Sequence, residues 1–278
     1  MIFLILLSSI IYVYAEYHLT TMLISSPKKI PMLTFTIEYF LNAYNYNHDG
    51  FVIDSFYLTK GCEGDHPEIY KVANQLKSNG IPVHVHDKID FYIKDGTEMM
   101  KKMENYQSWI ENNDIVRNRI GQSYDKTLLY MKVNSYFNQT LNVIKEEQGY
   151  PEYILFLEDD VAFQKSFFIN LRNKMVMEKK FAAMKVAFPP NTGKDEKGFF
   201  SNNSKGGCPW GFWGLLMNRK QLKRWELFHH YVPHGMCADR FACELVYIYD
   251  KKIKLNEYAY HFGRDSIIKR REKRFWNK

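Results

Sequence analysis

After residue 15 the chain has no hydrophobic run that approaches the ~20 residues needed to cross a membrane. It also has no internal repeat, no low-complexity tract and no linker rich in proline or in glycine and serine. These absences argue against a protein with many membrane spans, a repeat protein and a chain of well-separated domains. With 278 residues in all, we expect one large domain over 17–278, with two closely packed lobes as the alternative.

Cysteine is scarce as well. No two cysteines form a Cys-x-x-Cys pair, and no zinc-finger or RNA-binding signature appears along the chain. His84 and His86 have metal-ligand spacing on one face of a predicted strand, but no further ligand follows nearby, so we discount a zinc site. The even number of cysteines allows disulfides in an oxidising compartment, and the sequence does not say which of them pair: Cys62, Cys208, Cys237 and Cys243.

Basic residues outnumber acidic ones, and the net charge is +7. Such an excess favours polyanionic partners. Much of it lies in the segment 269–274 (KRREKR). Because nucleic-acid motifs are missing, we expect no nucleic-acid partner. A diphosphate ligand or a membrane surface would explain the basic run, and a solvated charged end is the alternative.

Residues 2–15 are apolar except for Ser8 and Ser9. The stretch predicts a signal peptide, with Ala15 near a cleavage point, or an uncleaved signal anchor. It fits the first strand of a cytosolic domain less well, because it is long and does not alternate. We therefore expect a protein of the Golgi or endoplasmic reticulum lumen, anchored in the membrane or secreted. The sequons at Asn138 and Asn202 agree with that location if they are exposed.

Strand and helix patterns alternate along the first half of the chain. Such alternation with short connections predicts an α/β fold in which parallel strands are covered by helices. A long helical pattern precedes the apolar strand 153–157 (YILFL), and a less regular region follows it. The predicted strands are 18–25, 51–59, 81–85, 153–157, 182–188 and 214–217, and the predicted helices are 27–44, 67–78, 123–147, 220 onward and 241–249.

An acidic triplet is the strongest chemical signal. Glu158, Asp159 and Asp160 follow the continuously apolar strand directly. Ligands bind at the carboxyl ends of strands in open α/β sheets. Clustered carboxylates repel one another and are costly to desolvate, and a bound Mg²⁺ or Mn²⁺ removes both costs. The triplet therefore predicts a metal and phosphate site, with an inert acidic turn as the alternative.

The segment LFLEDDVAF, residues 155–163, resembles the Asp-x-Asp element of GT-A glycosyltransferases. The resemblance covers most of the chain after residue 17. It implies a Rossmann-like GT-A fold with a mostly parallel sheet, a UDP-sugar donor and Mn²⁺ or Mg²⁺ as cofactor. It also implies that Asp160 ligates the metal and that Glu158 lies near the ribose or the metal. We expect Glu158 and Asp159 to bind the donor.

Further residues acquire roles from the same resemblance. YHFGRDS, residues 260–266, is similar to the terminal element in which a histidine, here His261, is a second metal ligand. Arg264, Lys269 and Arg270 would then neutralise the leaving diphosphate. By itself, a lone histidine is more often a structural residue.

Two loops complete the implied site. GGCPWGFWG, residues 206–214, resembles the Gly/Trp-rich loop that holds donor sugar and acceptor, and Trp210 and Trp213 offer flat faces for a sugar; a tight aromatic turn in the core is the alternative. In PHGMCADR, residues 233–240, Asp239 is the implied general base, with Glu244 in reserve, although Asp239 could instead cap a helix.

Arg117 and Arg119 precede the long helix, where they approach the uracil or pyrophosphate in relatives or are solvated helix-end charges. The motif spacing most resembles the GPI N-acetylgalactosamine transferase family (post-GPI attachment to proteins factor four), with N-acetylglucosaminyltransferase IV relatives next. Animal members of the first family carry an inserted pair of membrane-spanning helices, and this chain shows no such hairpin. The acceptor implied is a glycan or glycolipid.

Two other classes of function remain open. One is a lumenal glycan-binding protein that keeps the fold without catalysis, which need not bring Asp160 and His261 together. The other is a nuclease or phosphatase using the acidic triplet. Those sites need additional acids around two metals, and the remaining acids of this chain are scattered.

Overall fold

The computed structural model of the protein describes residues 16–26, 30–61, 65–87, 137–177, 181, 183–188, 214–229 and 254–261. Within these ranges lie eight strands and five helices. None of the helices in the described part combines the length and hydrophobicity that crossing a bilayer requires.

The first half of the chain alternates strand and helix, as predicted. The largest difference is the start of the first helix, which begins at Met32 and not directly after Pro27, because Pro31 at its N-cap disfavours helical geometry in the residue before it. That helix also ends two residues later than predicted, and the third strand is Val83–His86 where 81–85 was predicted. The elements are β1 (Tyr17–Ser25), α1 (Met32–Tyr46), β2 (Phe51–Lys60), α2 (Pro67–Ser78) and β3 (Val83–His86).

Helix α2 has the predicted bounds. Pro67 occupies its first turn, where the missing N–H is not needed. Gly80, at φ +77°, follows its end in a conformation that favours glycine. The apolar residues at 3.6-residue spacing are buried, as the pattern predicted: Ile69, Val72, Ala73 and Leu76.

A single eight-stranded sheet, in the order β3-β2-β1-β4-β7-β6-β8-β5, forms the centre of the described structure. Six strands run in one direction, and β7 and β5 run against them. The prediction of an α/β fold with a mostly parallel sheet is confirmed. The later strands are β4 (Tyr153–Glu158), β5 (Val161–Phe163), β6 (Ala183–Phe188), β7 (Leu215–Asn218) and β8 (Lys254–His261).

Helices cover both faces of the sheet. On one face α1, α2 and α4 (Phe167–Met177) enclose the larger core, and on the other α3 (137–148) and α5 (Arg219–His229) enclose a second. Consecutive residues of β4 enter opposite cores: Leu155 the first and Phe156 the second. The central strand is therefore buried on both faces, as its continuous hydrophobicity predicted. Strand β5 and helix α4 were not predicted.

Helix α3 contains one of the two sequons. The side chain of Asn138 accepts a hydrogen bond from Trp225 Nε1 at 3.2 Å. Thr140 is 0% exposed, and its hydroxyl lies 2.9 Å from that of Thr59. An acceptor site for N-glycosylation must be accessible. Asn138 is half-buried and hydrogen-bonded, and the threonine of its sequon is buried, so this site is poorly accessible in the folded protein, while Asn202 lies outside the described residues.

Gly214 lies where β4, β6 and β7 meet. Its N–H donates to the carbonyl of Phe156 at 3.0 Å, and its carbonyl accepts from Val186 N–H at 2.8 Å. Its φ is +84°, and a Cβ added there would lie 2.6 Å from Ala187 Cβ. Both the backbone conformation and the close approach of β6 therefore require glycine.

We predict that Gly214→Ala destabilises the protein more than Gly80→Ala does. Both glycines have positive φ, but an added Cβ at Gly80 meets nothing within 4 Å. The Gly80 variant should lose about 1 kcal/mol of unfolding free energy from backbone strain, and the Gly214 variant about 1–3 kcal/mol more from the clash. Urea denaturation of both variants measures the difference, and equal losses would contradict the close packing at Gly214.

Candidate active site at the carboxyl end of the sheet

The acidic triplet lies at the carboxyl edge of the parallel strands. Glu158 is the last residue of β4 and is paired in register with Ile24 of β1. Asp159 and Asp160 form the turn into β5. Their side chains are only 5% and 6% exposed, although the end of a strand that binds a ligand is expected to be accessible. A buried carboxylate needs hydrogen bonds or a cation, so this edge of the sheet must supply such partners to the two acids.

Strand β1 supplies the hydrogen bonds that Asp159 needs. Ser25 Oγ donates to Asp159 Oδ2 at 2.7 Å, and the backbone N–H of Ser26 donates to the same oxygen at 3.4 Å. His66 Nε2 lies 2.9 Å from Ser25 Oγ. Because the serine proton points to the carboxylate, His66 must donate its Nε2 proton to the serine oxygen.

His66 is the N-cap residue of α2 and is 3% exposed. Burial lowers the pKa of its imidazole from the ordinary value of 6.5, against the opposite effects of Glu68 and Asp159, while Lys60 lowers it further. Neutral His66 with a proton on Nε2 satisfies the serine contact. Sequence reasoning missed both Ser25 and His66. The signals present were the serine pair that ends the β1 segment and the histidine before Pro67.

This burial predicts a pH dependence of stability. With its folded pKa below 6.5, His66 binds fewer protons in the folded than in the unfolded protein at mildly acidic pH. The free energy of unfolding should therefore fall as the pH is lowered through about 6.5 toward the folded pKa, and His66→Gln should remove that share of the decline. Urea denaturation of both proteins at about pH 7.5 and about pH 5.5 tests this. Parallel losses in the two proteins would contradict it, since every other titrating group is common to both.

The other side of the acidic turn is held by α1. The N–H of Val161 donates to Thr36 Oγ1 at 3.0 Å, and Thr36 is 0% exposed. Asp160 therefore lies between Asp159, which is hydrogen-bonded to β1, and Val161, which is hydrogen-bonded to α1. This arrangement fixes the backbone on both sides of the predicted metal ligand.

Strand β8 returns to the same turn. It pairs antiparallel with β5, and the register sets His261 opposite Val161. The backbone of His261 is thus beside the residue that follows Asp160, although the two lie far apart in the sequence. A metal shared by Asp160 and His261 would require this proximity of the two backbones. A carboxylate and an imidazole are groups that Mn²⁺ accepts as ligands.

Other predicted site residues lie outside the described residues. These residues are Arg117, Arg119, Trp210, Trp213, Asp239, Glu244, Arg264, Lys269 and Arg270. The four cysteines and the segment 1–15 also lie outside the described residues. Among the side chains that the structure describes, no group of three or more His, Cys, Asp or Glu could hold a metal ion. His261 is described by its backbone only, so that search does not test its predicted role.

His84 and His86 lie on one face of β3, as predicted, and belong to a separate cluster. Their rings stack on Tyr57 at centroid distances of 4.6 Å and 5.6 Å. Glu147 of α3 accepts a hydrogen bond from the Tyr57 hydroxyl at 2.8 Å and lies 3.0 Å from His84 Nδ1. The histidine pair is therefore explained by aromatic stacking and contact with a helix.

No protein-family model and no curated protein sequence matches the chain. The mannosyltransferase PcManGT of Pyrobaculum calidifontis, solved with GDP-Man and Mn²⁺, has a similar structure, with a TM-score of 0.56 and 8% identity over 93% of this chain and 61% of that chain. Residues 1–349 of TarS from S. aureus give a TM-score of 0.48 and 10% identity over 88% of this chain and 60% of that chain.

This chain thus spans about three fifths of the length of both structures. At 8% identity, the likeness to the mannosyltransferase concerns the fold alone. The chain has the fold of GT-A glycosyltransferases, which confirms the predicted fold class.

Proposed function

We propose that this chain is a metal-dependent, inverting glycosyltransferase that moves a sugar from a UDP-sugar to a glycan or glycolipid acceptor. One observation carries the proposal. In a GT-A fold, the β5–β8 register sets His261 opposite Val161, directly after the buried acid Asp160. A non-catalytic glycan-binding protein of the same fold is the alternative, and it has no need for this juxtaposition.

The residues divide the chemistry between them. Asp160 and His261 would hold Mn²⁺ or Mg²⁺, which when bound supplies Lewis-acid stabilisation of the leaving diphosphate. The donor is oriented by Glu158, Asp159, Arg117 and Trp213.

The negative charge that develops on the diphosphate is shared by Arg264 and Lys269. Asp239 accepts the proton of the acceptor hydroxyl as its oxygen attacks the anomeric carbon from the opposite face, which inverts the configuration.

The finer identity rests on the motif resemblance. An N-acetylhexosamine donor and the GPI-anchor glycan as acceptor are the first candidates. An N-glycan acceptor, as in N-acetylglucosaminyltransferase IV relatives, is the second. The mannosyltransferase of similar fold was solved with GDP-Man, so GDP-sugars should be tested as donors beside UDP-sugars.

We predict that Asp160→Ala and Asp239→Asn fail at different steps. Asp160→Ala removes a carboxylate ligand, so Mn²⁺-dependent binding of UDP should be abolished. Asp239→Asn keeps the shape but accepts no proton, so UDP binding should survive while sugar transfer falls by about 10²-fold or more. Calorimetry with UDP and Mn²⁺, beside a transfer assay, separates the two effects.

The matched control is Asp54→Ala. Asp54 is a carboxylate of β2 that is bound to His18 at 2.7 Å and lies toward the amino end of the strands. Its loss should change neither binding nor transfer. Equal loss of UDP binding in Asp160→Ala and Asp239→Asn would mean that Asp239 belongs to the donor site or the fold. A wild-type protein that binds a glycan but transfers no sugar from any donor would favour the binding-protein alternative.

A lumenal location also belongs to the proposal, and it predicts a specific modification. The full chain made in secretory cells should gain endoglycosidase-sensitive mass at Asn202 and none at Asn138, because Thr140 of the Asn138 sequon is buried. Mass spectrometry of the wild type and of Asn202→Gln measures both sites. An unmodified product confined to the cytosol of such cells would contradict the lumenal assignment.

A further inference from the structure

We propose that His66 and Ser25 are positioning residues that hold Asp159 through two successive hydrogen bonds and thereby set the turn carrying Asp160. The inference rests on the proposed function, because it assigns these residues to the same metal and donor site. The pair of hydrogen bonds from His66 through Ser25 to Asp159 is called the relay. It joins three elements that are far apart in sequence: the amino end of α2, the carboxyl end of β1 and the turn after β4.

The direction of the relay follows from its proton inventory. The carboxylate of Asp159 can only accept, and Ser25 Oγ donates its single proton to Oδ2 at 2.7 Å. The serine oxygen can then accept from His66 Nε2 at 2.9 Å. All three residues are buried, with exposed fractions of 2% for Ser25, 3% for His66 and 5% for Asp159. Water therefore competes little for these hydrogen bonds, which raises the cost of breaking them.

The starting point of the relay is rigid. The carbonyl of His66 accepts a hydrogen bond from Ile69 N–H at 3.1 Å, which places His66 at the first turn of α2. In the same turn, Glu68 accepts hydrogen bonds from the backbone N–H and the hydroxyl of Thr34, both at 2.8 Å. The amino end of α2 is thus hydrogen-bonded to α1. The position of His66 is therefore set by the two helices and does not depend on its contact with Ser25.

The serine is fixed as well. The carbonyl of Ser25 accepts a hydrogen bond from Gly61 N–H at 2.7 Å, and Ser26 Oγ donates to the carbonyl of Gly61 at 3.0 Å. A Cβ added to Gly61 would lie 2.8 Å from Ile24 Cγ2, so a larger residue at this position would force the Ile24 side chain or the backbone after β2 to shift. The backbone of Ser25 is therefore held in place by the residue that follows β2.

The consequence for Asp160 follows from chain connectivity. Asp159 and Asp160 share a peptide unit, and Val161 on the other side is bound to Thr36 of α1. Without the relay, the carboxylate of Asp159 would remain buried with fewer donors and would turn toward other partners. That movement rotates the shared peptide and shifts Asp160. Groups that orient a metal ligand in this way typically change metal affinity by about 10- to 100-fold.

The test uses the full chain with two kinds of histidine variant. His66→Leu removes the donor, whereas His66→Gln keeps a side-chain N–H near the position of Nε2. Ser25→Ala removes the middle of the relay. The probes are Mn²⁺ with UDP and Mn²⁺ with GDP, measured by calorimetry, and thermal unfolding by circular dichroism reports the stability of each variant.

Ser55→Ala is the matched control. Ser55 is also a buried strand serine, 6% exposed, and its hydroxyl donates to Gln148 Oε1 at 3.2 Å, away from the acidic turn. We expect Ser25→Ala and His66→Leu to weaken binding of Mn²⁺ and nucleotide by about 10-fold or more. His66→Gln should recover most of that loss. Ser55→Ala should lower the unfolding temperature while leaving the affinity unchanged.

The remaining outcomes contradict either the relay or the function. If the wild type binds nucleotide with Mn²⁺ and both relay deletions bind it equally well, the relay is overturned and the proposed function stands. If His66→Gln binds as weakly as His66→Leu, or if Ser55→Ala weakens binding as much as Ser25→Ala, the effect comes from packing or stability and the relay is again overturned.

If the wild type binds neither nucleotide with Mn²⁺, the proposed function fails and the relay proposal fails with it. Should Ser25→Ala not fold, the two histidine variants decide the question alone.

Discussion

Two buried carboxylates at the end of the central strand set the conditions for the rest of this structure. Asp159 and Asp160 are nearly inaccessible, and burying such charges is costly unless donors or a cation compensate. For Asp159 the compensation comes from the hydroxyl of Ser25 and the backbone of Ser26. It therefore requires β1 to lie beside β4 with matching carboxyl ends. The parallel pairing of these strands is thus tied to the chemistry of the acidic turn and not to hydrophobic burial alone.

The same turn connects the two halves of the sheet along the chain, because it leads from β4 into β5. Strands β3, β2, β1 and β4 form a parallel half, in which α1 joins β1 to β2 and α2 joins β2 to β3. The other half contains the two reversed strands, and its last pairing, β5 with β8, begins directly after Asp160. His261, at the end of the described residues, therefore lies beside the acidic turn at the carboxyl end of β4. A site assembled this way depends on the whole sheet, so it forms only when the fold is complete.

Polar side chains also connect the opposite face of the sheet to α3. The hydroxyls of Thr59 and Thr140 meet in the interior, and Gln148 accepts from Ser55 while donating to Thr20. Buried polar contacts of this kind fix the register of a helix on a sheet more tightly than apolar packing alone. They also explain why a sequon within α3 has a structural role in place of an accessible acceptor site.

The sequence by itself determined the elements whose signals are local. Pro67, the spacing of four apolar residues and Gly80 defined α2, and a strand apolar on both faces followed by three acids marked the centre of the sheet. Only the tertiary structure decided that β8 sets His261 beside the acidic turn and that His66 reaches Asp159 through Ser25. The physical reason is range. Periodicity and capping act within a few residues along the chain, whereas strand order and buried hydrogen bonds join segments that become neighbours only when the sheet has formed.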